Sequence, residues 1–125
     1  MSSRRIVIRA GDVTVDATLD DSATAGLVWE ALPIIASATT WGDEIYFQVP
    51  VSAQEDETAR ETVEMGAIGY WPPGSALCLF FGPTPMSRGD EIRPASPVNV
   101  LGMIDGDATA LRAVSSGERV EIVRA

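Results

Sequence analysis

Carboxylates, phenols, hydroxyls, arginines and one thiol are the side chains from which this 125-residue sequence can build polar chemistry. It contains no histidine, and all nine basic residues are arginine. A Ser-His-Asp or Cys-His nucleophile is excluded, because no imidazole is present to take the proton. A lysine Schiff base, and the pyridoxal chemistry that depends on one, is excluded as well. A zinc site needs several Cys or His ligands, and the only such residue is Cys78. That cysteine has no disulfide partner within the chain; set among Leu77, Leu79 and Phe80 it reads as a small buried hydrophobe. Neither standard glycine-rich phosphate loop is present. The sequence therefore leads us to expect no cofactor and no metal.

What remains is concentrated in two phrases, "WGDEIYF" (41–47) and "GYWPPGSALCLFFGPTP" (69–85). Proline fixes one backbone angle, so aromatic side chains beside proline corners are held with little loop entropy to lose. Rigid aromatic walls with a few polar groups are how small-ligand and peptide pockets are built. Trp41, Glu44, Tyr46, Trp71, Phe81, Thr84 and Arg93 are accordingly the candidate ligand-binding residues. Each has a structural reading beside the functional one. Tyr46 and Trp71 stand between pocket and framework, and Phe47 and Phe80 read as core. Glu44 and Arg93 have the charges to pair with each other or to face water, and Thr84 suits a turn cap. No two carboxylates sit at a spacing that marks acid–base catalysis; Glu44 with Glu64 or Glu91 is left open, and no catalytic residue is assigned.

The elements that must hold these residues can be read from periodicity. Residues 5–19 alternate apolar and polar on both sides of Gly11-Asp12, which predicts a β-hairpin. Asp21 or Ser22 offers an N-cap to a helix whose apolar face is Leu27, Val28, Ala31 and Leu32; Pro33 ends it. Ile45, Phe47, Val49 and Val51 alternate with Glu44, Tyr46 and Gln48, which predicts a second hairpin over 34–51 turning at Gly42-Asp43. Residues 52–62 carry no apolar period and read as an exposed acidic loop with at most one helical turn, or a flexible lid. The run "ALCLFFG" is apolar on both pleat faces, as in a strand covered on both sides. A Pro- and Gly-rich loop over 83–96, a strand over 97–105, a short helix capped by Asp107 and a last strand at 119–124 complete the chain.

A chain of this length is expected to form one domain over 1–125. Many short strands with two helices suit a closed antiparallel barrel with a helix over each open end, and closure removes exposed edges. The aromatic patch is then expected at the barrel's rim. A net charge of -9 repels phosphate backbones and anionic lipid, so nucleic acid and membrane surfaces are not expected partners. No apolar run reaches the about 20 residues of a membrane span, and "MSSRRIVIRA" lacks the features of a signal peptide. A cytoplasmic protein is expected, and self-association through exposed strands is left open.

Together with "DEIRPASPVNVLG" (90–102), the two aromatic phrases and the order of elements carry a resemblance to the cyclophilin-like family of small prokaryotic proteins of unknown function. The resemblance runs over nearly the whole chain. It implies an eight-stranded closed barrel capped by two short helices, as in the cyclophilin peptidyl-prolyl isomerases. "EIYFQVP" is similar to the isomerases' catalytic strand, yet Phe47 stands where their arginine would fall, and their pocket histidine has no counterpart. The leading expectation is a barrel that binds a small molecule or an extended peptide in an aromatic-lined pocket. The alternatives are a weak prolyl isomerase, with Arg88 or Arg93 entering from the next loop, and a non-catalytic subunit of a larger amide-hydrolysing assembly.

Overall fold

The computed structural model describes residues 4–125. The predicted first hairpin is β1 (Arg4–Ala10) and β2 (Val13–Leu19), in continuous antiparallel register from Arg4↔Leu19 to Ala10↔Val13. Its inward residues, Ile6, Ile8, Val15, Ala17 and Leu19, are all buried. Ser22 caps α1 (Ala23–Ala31), its Oγ accepting from the Ala25 amide at 3.3 Å. Leu32, before Pro33, is extended at ψ 145, which stops the helix. The predicted terminal helix is a 3-10 helix over Ala108–Ala113, capped by Asp107, whose carboxylate accepts from the Thr109 amide at 2.9 Å. Ala25 and Val28 from α1, and Ala108 and Leu111 from the 3-10 helix, enter the main core.

The second predicted hairpin forms differently. Residues 34–40 split into β3 (Ile34–Ser37) and β4 (Thr39–Thr40). β4 pairs with β5 (Glu44–Gln48), whereas β3 pairs with β10 (Arg119–Arg124). The change of partner occurs at Ala38, whose amide and carbonyl bond to Glu118 and Gly117 at 2.9 and 2.8 Å. The remaining strands are β6 (Ala59–Arg60), β7 (Ala67–Trp71), β8 (Ala76–Phe80) and β9 (Val98–Asp105). A single 3-10 turn, Pro72–Gly74, joins β7 to β8.

The expected closed eight-stranded barrel is therefore corrected on two counts. The described residues form ten strands, and the hydrogen-bonded order β3-β10-β1-β2-β9-β7-β8-β5-β4 is an open path with β6 beside β9. The physical reason is the switch at Ala38, which makes one predicted strand into two and puts them at opposite ends of that path. The mainly β, antiparallel character and the two helices stand as read. No helix among the described residues is long and apolar enough to cross a membrane.

Strand alternation sorts the interior into two clusters. Ile45 and Phe47, Leu77 and Leu79, Ile68 and Tyr70, and Leu101 face the main core. Cys78, Phe80, Ala67 and Val98 face the other way and form a smaller cluster with Ile92, against which Tyr46, Trp71 and Val100 pack. Both faces of β8 are thus covered, as its apolar run predicts. A bulge at Ile68/Gly69 resets the phase of β9, so that Met103 is exposed and Ile104 is buried.

The acidic segment 52–62 is neither a free loop nor helical. Asp56 accepts from the Thr58 amide and hydroxyl at 2.8 and 2.5 Å and from the Thr24 hydroxyl at 3.2 Å. Its amide donates to Asn99 Oδ1, and Asn99 Nδ2 donates to Gln54 O and Thr24 Oγ1. The Tyr70 hydroxyl, fully buried, donates to Val51 O at 2.7 Å and accepts from the Ala53 amide. These bonds fasten residues 51–58 to the sheet, because a buried amide or hydroxyl left unpaired would cost about 1–3 kcal/mol.

Candidate functional site

The smaller cluster lies on the opposite face of β5, β7, β8 and β9 from the main core, and there the sheet carries a cavity of about 290 Å³. Trp41, Glu44, Tyr46 and Trp71 line it. Cys78, Pro94, Ala95 and Val98 complete its walls. The candidate patch thus sits on a flank of the sheet and not at a barrel rim, because β5 alternation sends Glu44 and Tyr46 outward while Ile45 and Phe47 fill the core.

Each wall is fixed locally. Trp41 and Glu44 flank the predicted turn, closed by the Trp41 amide on Glu44 O at 2.9 Å. Gly42 occupies it at φ +60, and a Cβ there would come within 2.8 Å of Pro85 Cδ. Across the ladder, Tyr46 stands opposite Cys78 and Glu44 opposite Phe80. Trp71 ends β7, and its Nε1 donates to Ser96 Oγ at 2.6 Å. The far side of that indole rests on Gly74, where a Cβ would meet Trp71 Cζ3 at 2.6 Å. The proline corner noted in the sequence therefore gives the ring a flat seat, and Ser96 sets its rotation.

Glu44 is the exceptional group. It is only 4% exposed, and its Oε1 is the one buried side-chain polar atom among the described residues without a hydrogen-bond partner. Burial pushes its carboxyl up to about 7 from an ordinary 4.5; the Cys78 thiol, a donor to the ionised form, offsets only part of this. Burial first, and the Glu44 charge second, push the Cys78 thiol well above its ordinary 9.0, so the sulfur is held as the inert thiol. The arrangement offers a shaped apolar hollow, three aromatic side chains and one acidic group with an oxygen that lacks a partner. No group of three or more potential metal ligands is found among the described residues.

Three candidates lie elsewhere. Phe81 is buried in the main core, one residue out of phase with Phe80. Thr84 is a buried knot of the following loop: its hydroxyl donates to Arg93 O, and its amide donates to Ser87 Oγ at 2.9 Å. Arg93 does not pair with Glu44. Its Nε donates to Glu91 Oε2 at 2.6 Å, and it borders an adjoining hollow of about 230 Å³ with Glu61 and Met86. Arg88 is exposed, and its amide donates to Glu91. Neither arginine lines the cavity. Sequence reasoning passed over Cys78, Pro94, Ala95 and Val98 as wall residues. The pairing of Tyr46 with Cys78 needs the β5–β8 register, which no local pattern supplies.

A family model described as Cyclophilin-like matches residues 4–123. The solution structure of the hypothetical protein AF2241 from Archaeoglobus fulgidus is similar at 41% identity and a TM-score of 0.84, over 98% of this chain and 95% of that one. A structure of McbB in complex with tryptophan shares the fold at 18% identity and a TM-score of 0.71, over 95% of this chain but 44% of McbB. No curated protein matches the sequence.

Proposed function

The chain belongs to the cyclophilin-like family, and from that premise we propose that it is a binding protein, which holds a small molecule or a side chain of an extended peptide in the Trp41–Tyr46–Trp71 cavity. The observation that carries the reading is Glu44 Oε1, buried in the cavity wall without a partner. A framework has no use for such a group, since leaving a buried acceptor unmade is costly; a ligand's donor or positive charge supplies the missing partner. The volume, about 290 Å³, is at the small end of ligand sites. McbB, 44% of whose chain shares this fold, is described in complex with tryptophan, which supports an aromatic small molecule as one candidate ligand. The absence of arginine from the wall favours binding over polarisation of a prolyl amide.

The test is protein-observed NMR with a soluble fragment collection, following the indole N–H signals of Trp41 and Trp71. Fragments that move both signals are expected, with at least tenfold weaker binding to Ala95→Phe, whose ring fills the hollow from an exposed wall position. An absence of fragments moving these signals, or binding indifferent to Ala95→Phe, overturns the reading.

A further inference from the structure

The composition of the cavity wall narrows the ligand. Trp41, Tyr46 and Trp71 present aromatic rings, and among the described residues no basic side chain lines the wall. Aromatic faces are negative and attract organic cations, most strongly when water is excluded. Glu44 adds a carboxylate oxygen with no partner. The chain as a whole carries -9, so its field also favours a positive ligand. An anion finds no donor cluster here, and a neutral N–H donor satisfies Glu44 but gains little from the ring quadrupoles. We propose that the cavity selects an organic cation, an alkylated ammonium group, with the aromatic walls enclosing its methyl or methylene surface and Glu44 as its counter-ion. This rests on the reading of the cavity as a ligand site and assigns that site its chemical class.

Such recognition depends on pH in a definite sense. The titratable groups facing Glu44 from the cavity wall are Tyr46 on its own strand and Cys78 on β8; β7 and the 94–98 segment bring no charge to it. A quaternary ammonium does not titrate, so the pH dependence of its binding reports Glu44. The ionised carboxylate attracts it and the protonated form does not. With the free carboxyl at about 7, affinity is full at pH 8.5 and falls about thirtyfold by pH 5.5.

The experiment compares choline with its uncharged carbon isostere, 3,3-dimethylbutan-1-ol, on the intact protein, by the shifts of the Trp41 and Trp71 indole signals. Choline is expected to bind at least tenfold more tightly at pH 8.5 and to lose about thirtyfold by pH 5.5. Glu44→Gln is expected to flatten that dependence and to weaken choline without weakening the isostere. Trp41→Leu weakens choline yet keeps the pH slope, which guards against a misfolded Glu44 variant. Equal binding of the two probes, or preference for the isostere, overturns the cation assignment while leaving the cavity a ligand site. So does silence to both probes when a neutral aromatic such as indole still moves the signals. Silence to all three overturns both.

Discussion

At Asp56 both carboxylate oxygens accept hydrogen bonds, from Thr58 and Thr24, and the adjoining Asn99 uses its oxygen and its amide nitrogen. At Glu44, on the other face of the sheet and far more deeply enclosed, one carboxylate oxygen has nothing. Their proton affinities follow. The Thr58 hydroxyl, ahead of the Thr58 amide and the Thr24 hydroxyl, holds Asp56 below the usual carboxylate range, whereas burial holds Glu44 above it. One region uses polar groups to fix a loop to the sheet, and every bond there is accounted for. The other keeps a polar group in an apolar wall with its partner missing. The difference separates polar groups that serve folding from one that works against it, and the binding proposal rests on the second kind.

The sharpest way to break this contrast is Asn99→Leu. It strands the Asp56 amide and the Gln54 carbonyl and takes from the Thr24 hydroxyl the bond it accepts, leaving that hydroxyl its donation to Asp56, and is expected to cost about 3 kcal/mol in urea unfolding while the indole signals of the cavity wall are unchanged. A loss below about 1 kcal/mol would mean that the loop is held by Tyr70 and apolar contact alone.

Glu44→Gln should act in the opposite direction. A carboxyl raised from 4.5 to about 7 holds its proton more tightly when folded, so the native state binds more protons than the unfolded chain between those values. The burden of ionising it is absent below about 4.5, grows as pH rises, and is complete above about 7. The upper bound is about 3 kcal/mol; since glutamine also brings an unpaired amide, a gain of about 2 kcal/mol at pH 8.5, vanishing near pH 4.5, is expected from denaturant curves at the two pH values. A loss of stability at pH 8.5 would contradict the burial argument.

Ser96→Ala probes the smallest effect. It removes the acceptor for Trp71 Nε1 and should cost about 1 kcal/mol, with a larger fractional effect on ligand affinity than on stability, because the indole loses its set rotation. Equal binding before and after, by titration of any fragment that occupies the cavity, would show that the Gly74 seat orients the ring unaided.

The sequence makes some of this plain and hides the rest for physical reasons. Alternation across Gly11-Asp12 is strict, and β1–β2 form in that register. The turn at Gly42-Asp43 and the proline corner bring Trp41, Glu44, Tyr46 and Trp71 to one hollow. By contrast, "ALCLFF" is apolar at every position, so nothing in it says that Cys78 and Phe80 face one cluster and Phe81 the other. The partner exchange at Ala38 is set by strands more than 70 residues away in the chain, beyond the reach of local pattern. Arg93 finds Glu91 two residues back, a pairing within "DEIRP" that an attraction to the distant Glu44 obscured.

Strand β9 has its own consequence. Val98 lines the hollow and Asn99, its immediate neighbour, secures the loop on the reverse side. Side chains alternate along a strand, so deleting or inserting one residue between Pro97 and Val100 would exchange these two faces. An amide would be pressed into the hydrophobic pocket while an isopropyl group displaced the three-bond clasp. A length change of one unit is thus ruinous here on two fronts simultaneously, whereas the exposed 88–90 bend has slack to absorb it.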